Sequence, residues 1–386
     1  MRSKKTVIPV LIVIAIIVLL STGWIHTSQK QTADSNVIYV SNDTVNYKIY
    51  TNYMMDTYII ASALYLDFNS SVLLPYTESH EIYKKAKEYF SPYKEHHFIK
   101  NFNAYVNYED INGDVIGILL SCSNDPSLTP IHDFDDKYLQ GVFKDLEVIN
   151  AFLTGLKAFY EDTHAEDFFM ENAKLYTDMN NYILKHIDDT QITTLISNTE
   201  AYLGTKEKYF GDSSIEYETV LTLFRPSMAS FYSLKTQNGY KIVTYQSPND
   251  FTQNPYKYDI DFMVESAIHE YLHSYINKPV AEQREHINAL MTNIDKKIFM
   301  KNPMYQGMPY HRIFDEYFVR AIEGRIYKET FDEKKALNTI IHKEVEYGGF
   351  NQLMGLYQEL DNYEENRDTY TDMDTFLPSL IDLLAN

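Results

Sequence analysis

The chain has 386 residues, a formal net charge of −20, a single cysteine, 34 tyrosines and 21 phenylalanines. So acidic a chain, with no Lys/Arg cluster beyond its first residues, argues against nucleic-acid binding, because phosphate contacts need concentrated positive charge. The lone Cys122 excludes an intrachain disulfide and a cysteine-built zinc knuckle, and the aromatic content suits a packed core, not a disordered chain.

Arg2, Lys4 and Lys5 precede an apolar run from Val7 to Leu20. That core suits a signal peptide; extended through Trp24 and Ile25 it just spans a bilayer. Residues 1–25 are therefore read as a signal anchor or signal peptide, which places the remainder outside the cytoplasm, with the membrane touched through this segment only. Residues 26–41 read as a polar linker.

From residue 42 to about Asp189 the apolar spacing is mostly helical. Met54, Met55, Tyr58, Ile59, Ala63 and Leu66 mark one helix; others are expected over Glu81–Tyr89, Asp145–Tyr160 and Phe168–His186. The period then changes. Glu218–Phe224, Ser230–Leu234 and Tyr240–Tyr245 are short and β-branched or aromatic, and Asn238-Gly239 between the last two signals a hairpin. The expectation is a small antiparallel sheet directly before the next helix. An edge strand placed there can pair with an extended peptide.

That helix carries His269-Glu270-Tyr271-Leu272-His273. Met263, Ala267, Ile268, Leu272, Tyr275 and Ile276 recur at helical spacing, with Asn277 and Pro279 as stop signals. His269 and His273 lie one turn apart on one face, so two neutral imidazoles can reach one zinc ion. Glu270 points beside the metal, where a carboxylate can take a proton from an attacking water. A chain with 12 histidines yields such a motif by chance only about 0.03 times.

Catalytic zinc needs a third protein ligand. Glu316 is the first choice: it sits on a helix with a strong buried stripe, Phe314, Tyr317, Phe318, Ala321 and Ile322, and Arg320 one turn on can hold its carboxylate. Asp315, Glu323, His286 and His311 are the competitors. Tyr310 and His311, with His96 behind them, are candidate donors to a developing oxyanion.

Several of these stretches resemble a bacterial family of secreted proteins with a zincin-like core, catalogued as a domain of unknown function. The resemblance runs through Phe90–His96, Tyr209-Phe210-Gly211, Ile268–Asn277, Asp315–Ala321, Gly349-Phe350, Asn366-Arg367 and Phe376-Leu377-Pro378. It implies a glutamate-type zincin and brings no substrate with it. The combined reading is a predominantly helical α+β protein with one zincin-like domain, formed by residues 42–260 and by the metal-binding helices of 261–386. Its expected function is that of a zinc metallopeptidase acting on a peptide or protein substrate. Two rivals stand beside it: a zinc-stabilised extracellular binding protein without turnover, and a hydrolase of non-peptide amides.

Overall fold

A computed structural model describes residues 37–42, 44–68, 80–106, 114–131, 146–224, 230–236, 239–248 and 258–385. The apolar run 7–20, Pro226 and Asn238 lie outside the described residues. Among the described residues no helix is long and apolar enough to cross a membrane.

One five-stranded sheet organises the chain. Its strands are β1 (Val37–Ser41), β2 (Asn46–Thr51), β3 (Ser214–Leu221), β4 (Ser230–Lys235) and β5 (Gly239–Gln246), in the order β1-β2-β3-β5-β4. The β4/β5 hairpin is antiparallel as expected, but β5 pairs parallel with β3 and β3 parallel with β2. The sheet is thus mixed, not a small antiparallel one. The expected linker 26–41 ends in β1, and the region expected to be helical from residue 42 opens with β2. Both strands are β-branched and aromatic, yet short and flanked by polar residues, and β2 finds its parallel partner far along the chain. Gly239 (φ +155°) cannot be replaced by another residue without a clash: a Cβ there would lie 2.2 Å from the Ser214 carbonyl oxygen across the sheet.

The helices follow their apolar spacing: α1 (Tyr53–Tyr65), α2 (Glu81–Phe90), α3 (Leu146–Asp162), α4 (Ala165–Glu171), α5 (Ala173–His186), α6 (Asp189–Leu203), α7 (Ile260–Glu282), α8 (Tyr310–Thr330) and α9 (Leu353–Glu365). The single helix expected over Phe168–His186 is broken at Asn172, whose amide bonds back to the Phe168 carbonyl. After α7 the chain forms two short helices, Arg284–Leu290 and Lys296–Phe299. Pro279 does not end α7 as expected; it sits within the last turns, where its missing N–H disturbs only the end of the ladder.

Strand alternation gives the sheet two different faces. Tyr47, Tyr217, Thr219 and Thr244 face α7: the Tyr271 hydroxyl donates to the Glu218 carbonyl, and Tyr217 and Tyr275 share a hydroxyl bond of 2.8 Å. The opposite face carries Glu218, fully buried, which accepts from Tyr50 and lies 3.2 Å from Lys48 and 3.4 Å from Lys241. α7 buries one broad stripe, in pairs from Met263 and Val264 to Pro279 and Val280, whereas α8 is buried on nearly all sides, as suits a helix inside a large protein. At Gly324 of α8 a Cβ would come within 2.7 Å of Ile341 and 3.1 Å of Tyr357. The missing side chain lets the π-helical turn Leu337–Ile341 and α9 pack against α8; a second π-helical turn, Glu344–Gly348, follows the first.

A buried carboxyl under the sheet yields one stability prediction. Asp56 of α1 is fully buried, accepts from Tyr176 at 2.8 Å and from Thr222, and is raised by burial to about 7. Its folded value exceeds its unfolded one, so the protonated form favours folding. That stability is present below about pH 4 and is lost as pH rises to 7, a change of up to about 4 kcal/mol. Asp56→Asn, neutral at every pH, is expected to raise the melting temperature at pH 8 and to leave it nearly unchanged at pH 4.5. A variant no more stable than wild type at pH 8 would sink this assignment.

Candidate metal centre

α7 starts at Asp259, whose carboxylate accepts from the Phe262 amide, and delivers His269 and His273 to one face a turn apart. α8 packs across it and delivers Glu316. The imidazole Nε2 atoms of His269 and His273 are 3.3 Å apart, and each lies 3.7 Å from a Glu316 oxygen. The three side chains offer donor atoms that all fall within 4.8 Å of one another, a group able to hold a metal ion. The structure therefore brings together the three residues expected to be ligands.

The outer nitrogens of both rings are already committed. His269 Nδ1–H donates to Glu323 Oε2 at 3.1 Å, and His273 Nδ1–H donates to Asn277 Oδ1 at 2.8 Å. With its Nδ1 so engaged, each ring turns its Nε2 toward the same space. Two bare lone pairs at that separation repel unless a proton or a cation lies between them. Phe231 of β4 stacks on His273 with ring centroids 5.4 Å apart, closing that side of the imidazole.

The electrostatics suit a cation. Burial pushes His273 down to about 3, so its ring is neutral at physiological pH. Burial and Arg320 act against a proton on His269, but hydrogen bonds to Glu316 and Glu323 outweigh them and raise it to about 10. Burial would raise Glu316, yet the Arg320 guanidinium and the two imidazoles hold it well below the usual carboxylate range. Two nitrogens and one ionised carboxylate form a donor set appropriate to a borderline divalent ion.

Arg320 is the keystone behind Glu316. Its Nη1 bonds Glu316, its Nε donates to Glu344 at 2.8 Å, its Nη2 donates to the Tyr305 hydroxyl at 3.2 Å, and its plane lies 4.2 Å over Phe350. This planar fork is a role lysine cannot fill. Glu270 is not among the converging three. It lines the adjoining cleft of about 480 Å³, and burial raises its carboxyl to about 7.

The remaining candidates fall elsewhere. Asp315 is buried on another side of α8, pairs with Arg312 and is raised by burial to about 8. Glu323 meets the outer nitrogen of His269 and so orients a ligand instead of being one. The exposed side chain of His286 faces Asp382. Tyr310 bonds the Ile294 carbonyl, which occupies its proton, and neither it nor His311 lines the cleft. His96 pairs with Asp162 and meets the Phe159 ring edge-to-face in the N-terminal helical region. Sequence reasoning missed Tyr305, which does line the cleft, and Asn277, read there as a helix stop. A signal for Asn277 existed, since it follows His273 by one helical turn.

No curated protein and no solved structure matches the chain. Residues 73–383, which include α7, α8 and the π-helical turns, match the family described as a domain of unknown function, DUF4932, and the chain belongs to that family.

Proposed function

We propose that the protein is a zinc-dependent hydrolase, a metallopeptidase built on a zincin-like core and acting outside the cytoplasm behind its N-terminal anchor or signal segment. The observation that carries this reading is the convergence of two oriented imidazole Nε2 atoms and an ionised Glu316, with a further carboxylate, Glu270, beside them in an open cleft. A purely structural metal site uses a closed donor set; three protein ligands leave a position for water or substrate.

Zinc held by His269, His273 and Glu316 would supply Lewis acidity, acidifying a water and polarising the scissile carbonyl. Glu270 takes the proton of the attacking water and passes it to the leaving amine. Arg320 keeps Glu316 ionised and in place, while Glu323 and Asn277 keep both imidazoles turned inward. Tyr305 is the donor best placed for the oxyanion. Arg320 donates to its oxygen, which leaves the phenolic O–H to donate in turn, and burial, which raises the phenol to about 12, keeps that proton on at neutral pH. β4, the outer strand of the sheet beside His273, supports a peptide as the substrate, since an extended backbone can run along it.

The direct test is hydrolysis of a broad peptide library by the purified protein. Cleavage that stops with chelator and returns with stoichiometric zinc is the expected result. A protein that binds zinc fully and cleaves no member of the library would overturn the peptidase reading.

A further inference from the structure

The cleft beside the metal triad has a composition of its own. Phe262 from α7, Met308, and Ile340 from the first π-helical turn give it apolar walls. Glu265 of α7, one turn before His269, and Glu323 of α8 supply carboxylates. Glu323 is 2% exposed and uses one oxygen on His269; its Oε1 is fully buried with no hydrogen-bond partner. An unpartnered carboxylate oxygen in such a place is costly unless a donor arrives from outside.

The chain itself shows what the recess accepts. Lys343, between the two π-helical turns, lies 5.5 Å over the Phe262 ring and reaches Glu265 Oε1 at 2.5 Å. Its stem follows an apolar wall and its ammonium ends on a carboxylate, as long basic side chains do at mixed surfaces. One lysine does not serve both carboxylates. Burial and the charge of Glu323 raise Glu265 to about 7 even with Lys343 beside it. Lys343 is more than a third exposed, so it can turn out to solvent.

We propose that this recess is a specificity pocket for a lysine or arginine side chain of the substrate, placed next to the scissile bond, with Glu265 and the free oxygen of Glu323 as its receptors and Lys343 as a displaceable internal occupant. This rests on the peptidase reading above. The apolar walls distinguish such a side chain from a small inorganic cation, which would gain nothing from Phe262, Met308 and Ile340.

The test compares kcat/KM for peptides that carry Lys, Ala or Glu at positions flanking one cleaved bond, in wild type, Glu265→Gln and Lys343→Met. Wild type is expected to prefer Lys over Ala by about tenfold or more, as a charge-assisted bond in a partly buried site allows. Glu265→Gln is expected to collapse that ratio, and Lys343→Met, which removes the internal competitor, to raise it. Because the ratio is internal to each variant, a general loss of activity does not mimic the result. In parallel, binding of the same peptides to zinc-loaded Glu270→Gln is followed by fluorescence anisotropy, which needs no turnover. Tighter binding of Lys peptides that depends on Glu265, in a protein that cleaves nothing, would keep the pocket and remove the peptidase. Cleavage with no basic preference, or a preference that Glu265→Gln leaves intact, would overturn the pocket and keep the peptidase.

Discussion

Glu270→Gln is expected to keep the metal, fold normally and hydrolyse peptides about 10²–10⁴-fold more slowly than wild type. The residue lies next to His269 in sequence but outside the three converging donors, so its loss does not open the metal site. Glutamine preserves size and hydrogen-bonding reach and removes only the basic oxygen. Burial, with the charges of Glu316 and Glu323, brings the Glu270 carboxyl to about 7, and a bound dication favours its ionised form, so the base is available at neutral pH. Zinc content by elemental analysis, melting temperature and single-turnover rates check the three parts separately. A variant that matches wild type in hydrolysis would show that another group takes the proton. If wild type itself cleaves nothing and Glu270→Gln is indistinguishable from it in binding assays, the chain is better described as a zinc-stabilised binding protein.

The second large effect falls on the ligands. His273→Ala is expected to abolish stoichiometric zinc and to lower the melting temperature in zinc-containing buffer. The site joins α7 to α8, and a ligand that binds only the folded chain at a thousandfold excess over its Kd contributes about 4 kcal/mol. In excess chelator most of that difference should vanish, because wild type then lacks the metal too. Glu316→Gln should lose zinc as well, with a stability cost that persists in chelator, since Arg320 would keep Glu344 but lose its second carboxylate. Metal uptake should also depend on pH. In the metal-free site His269 holds a proton up to about 10, and zinc must displace it. Zinc and proton compete, so affinity should weaken as pH falls, by about tenfold per unit below that value for a single displaced proton. Zinc titrations against a competing chelator at pH 6, 7 and 8 would reveal this, and a flat profile would remove His269 from the ligand set.

The candidate metal triad was legible in the sequence because helical spacing is local: residues four apart on α7 must share a face, and Glu316 with Arg320 repeats that geometry on α8. The hairpin was legible for the same reason, through Asn238-Gly239 between two β-rich runs. Arg320 was legible in the same way, and Glu323 was named only as a rival ligand; the roles of the other groups that tune the site were not. Tyr305, Glu323 and Glu344 gain their roles from how α7, α8 and the π-helical turns pack, and their own neighbours in sequence carry no sign of it. Tyr310 and His311 illustrate the limit, since closeness to the Glu316 helix in sequence suggested donors that the fold turns elsewhere. β1 and β2 were missed for the opposite reason. Their composition suited strands, but a strand needs a partner to be convincing, and theirs was out of sight.

That distant partner has a kinetic consequence. The Tyr47 hydroxyl meets Thr219 across β2 and β3 from 172 residues away, and β3 then lies between that strand and β5. Closing so long a loop is entropically slow, and parallel pairing offers no turn to nucleate it. The helices between the two strands can form early from local contacts, whereas the floor beneath the metal-bearing helix is completed late. Until β2 docks, β3 presents an open edge that carries Ile215, Tyr217, Thr219, Val220 and Leu221, a template for pairing with other chains. The assembly step that finishes the platform under α7 is therefore also the one at which a nascent chain is most exposed to aggregation.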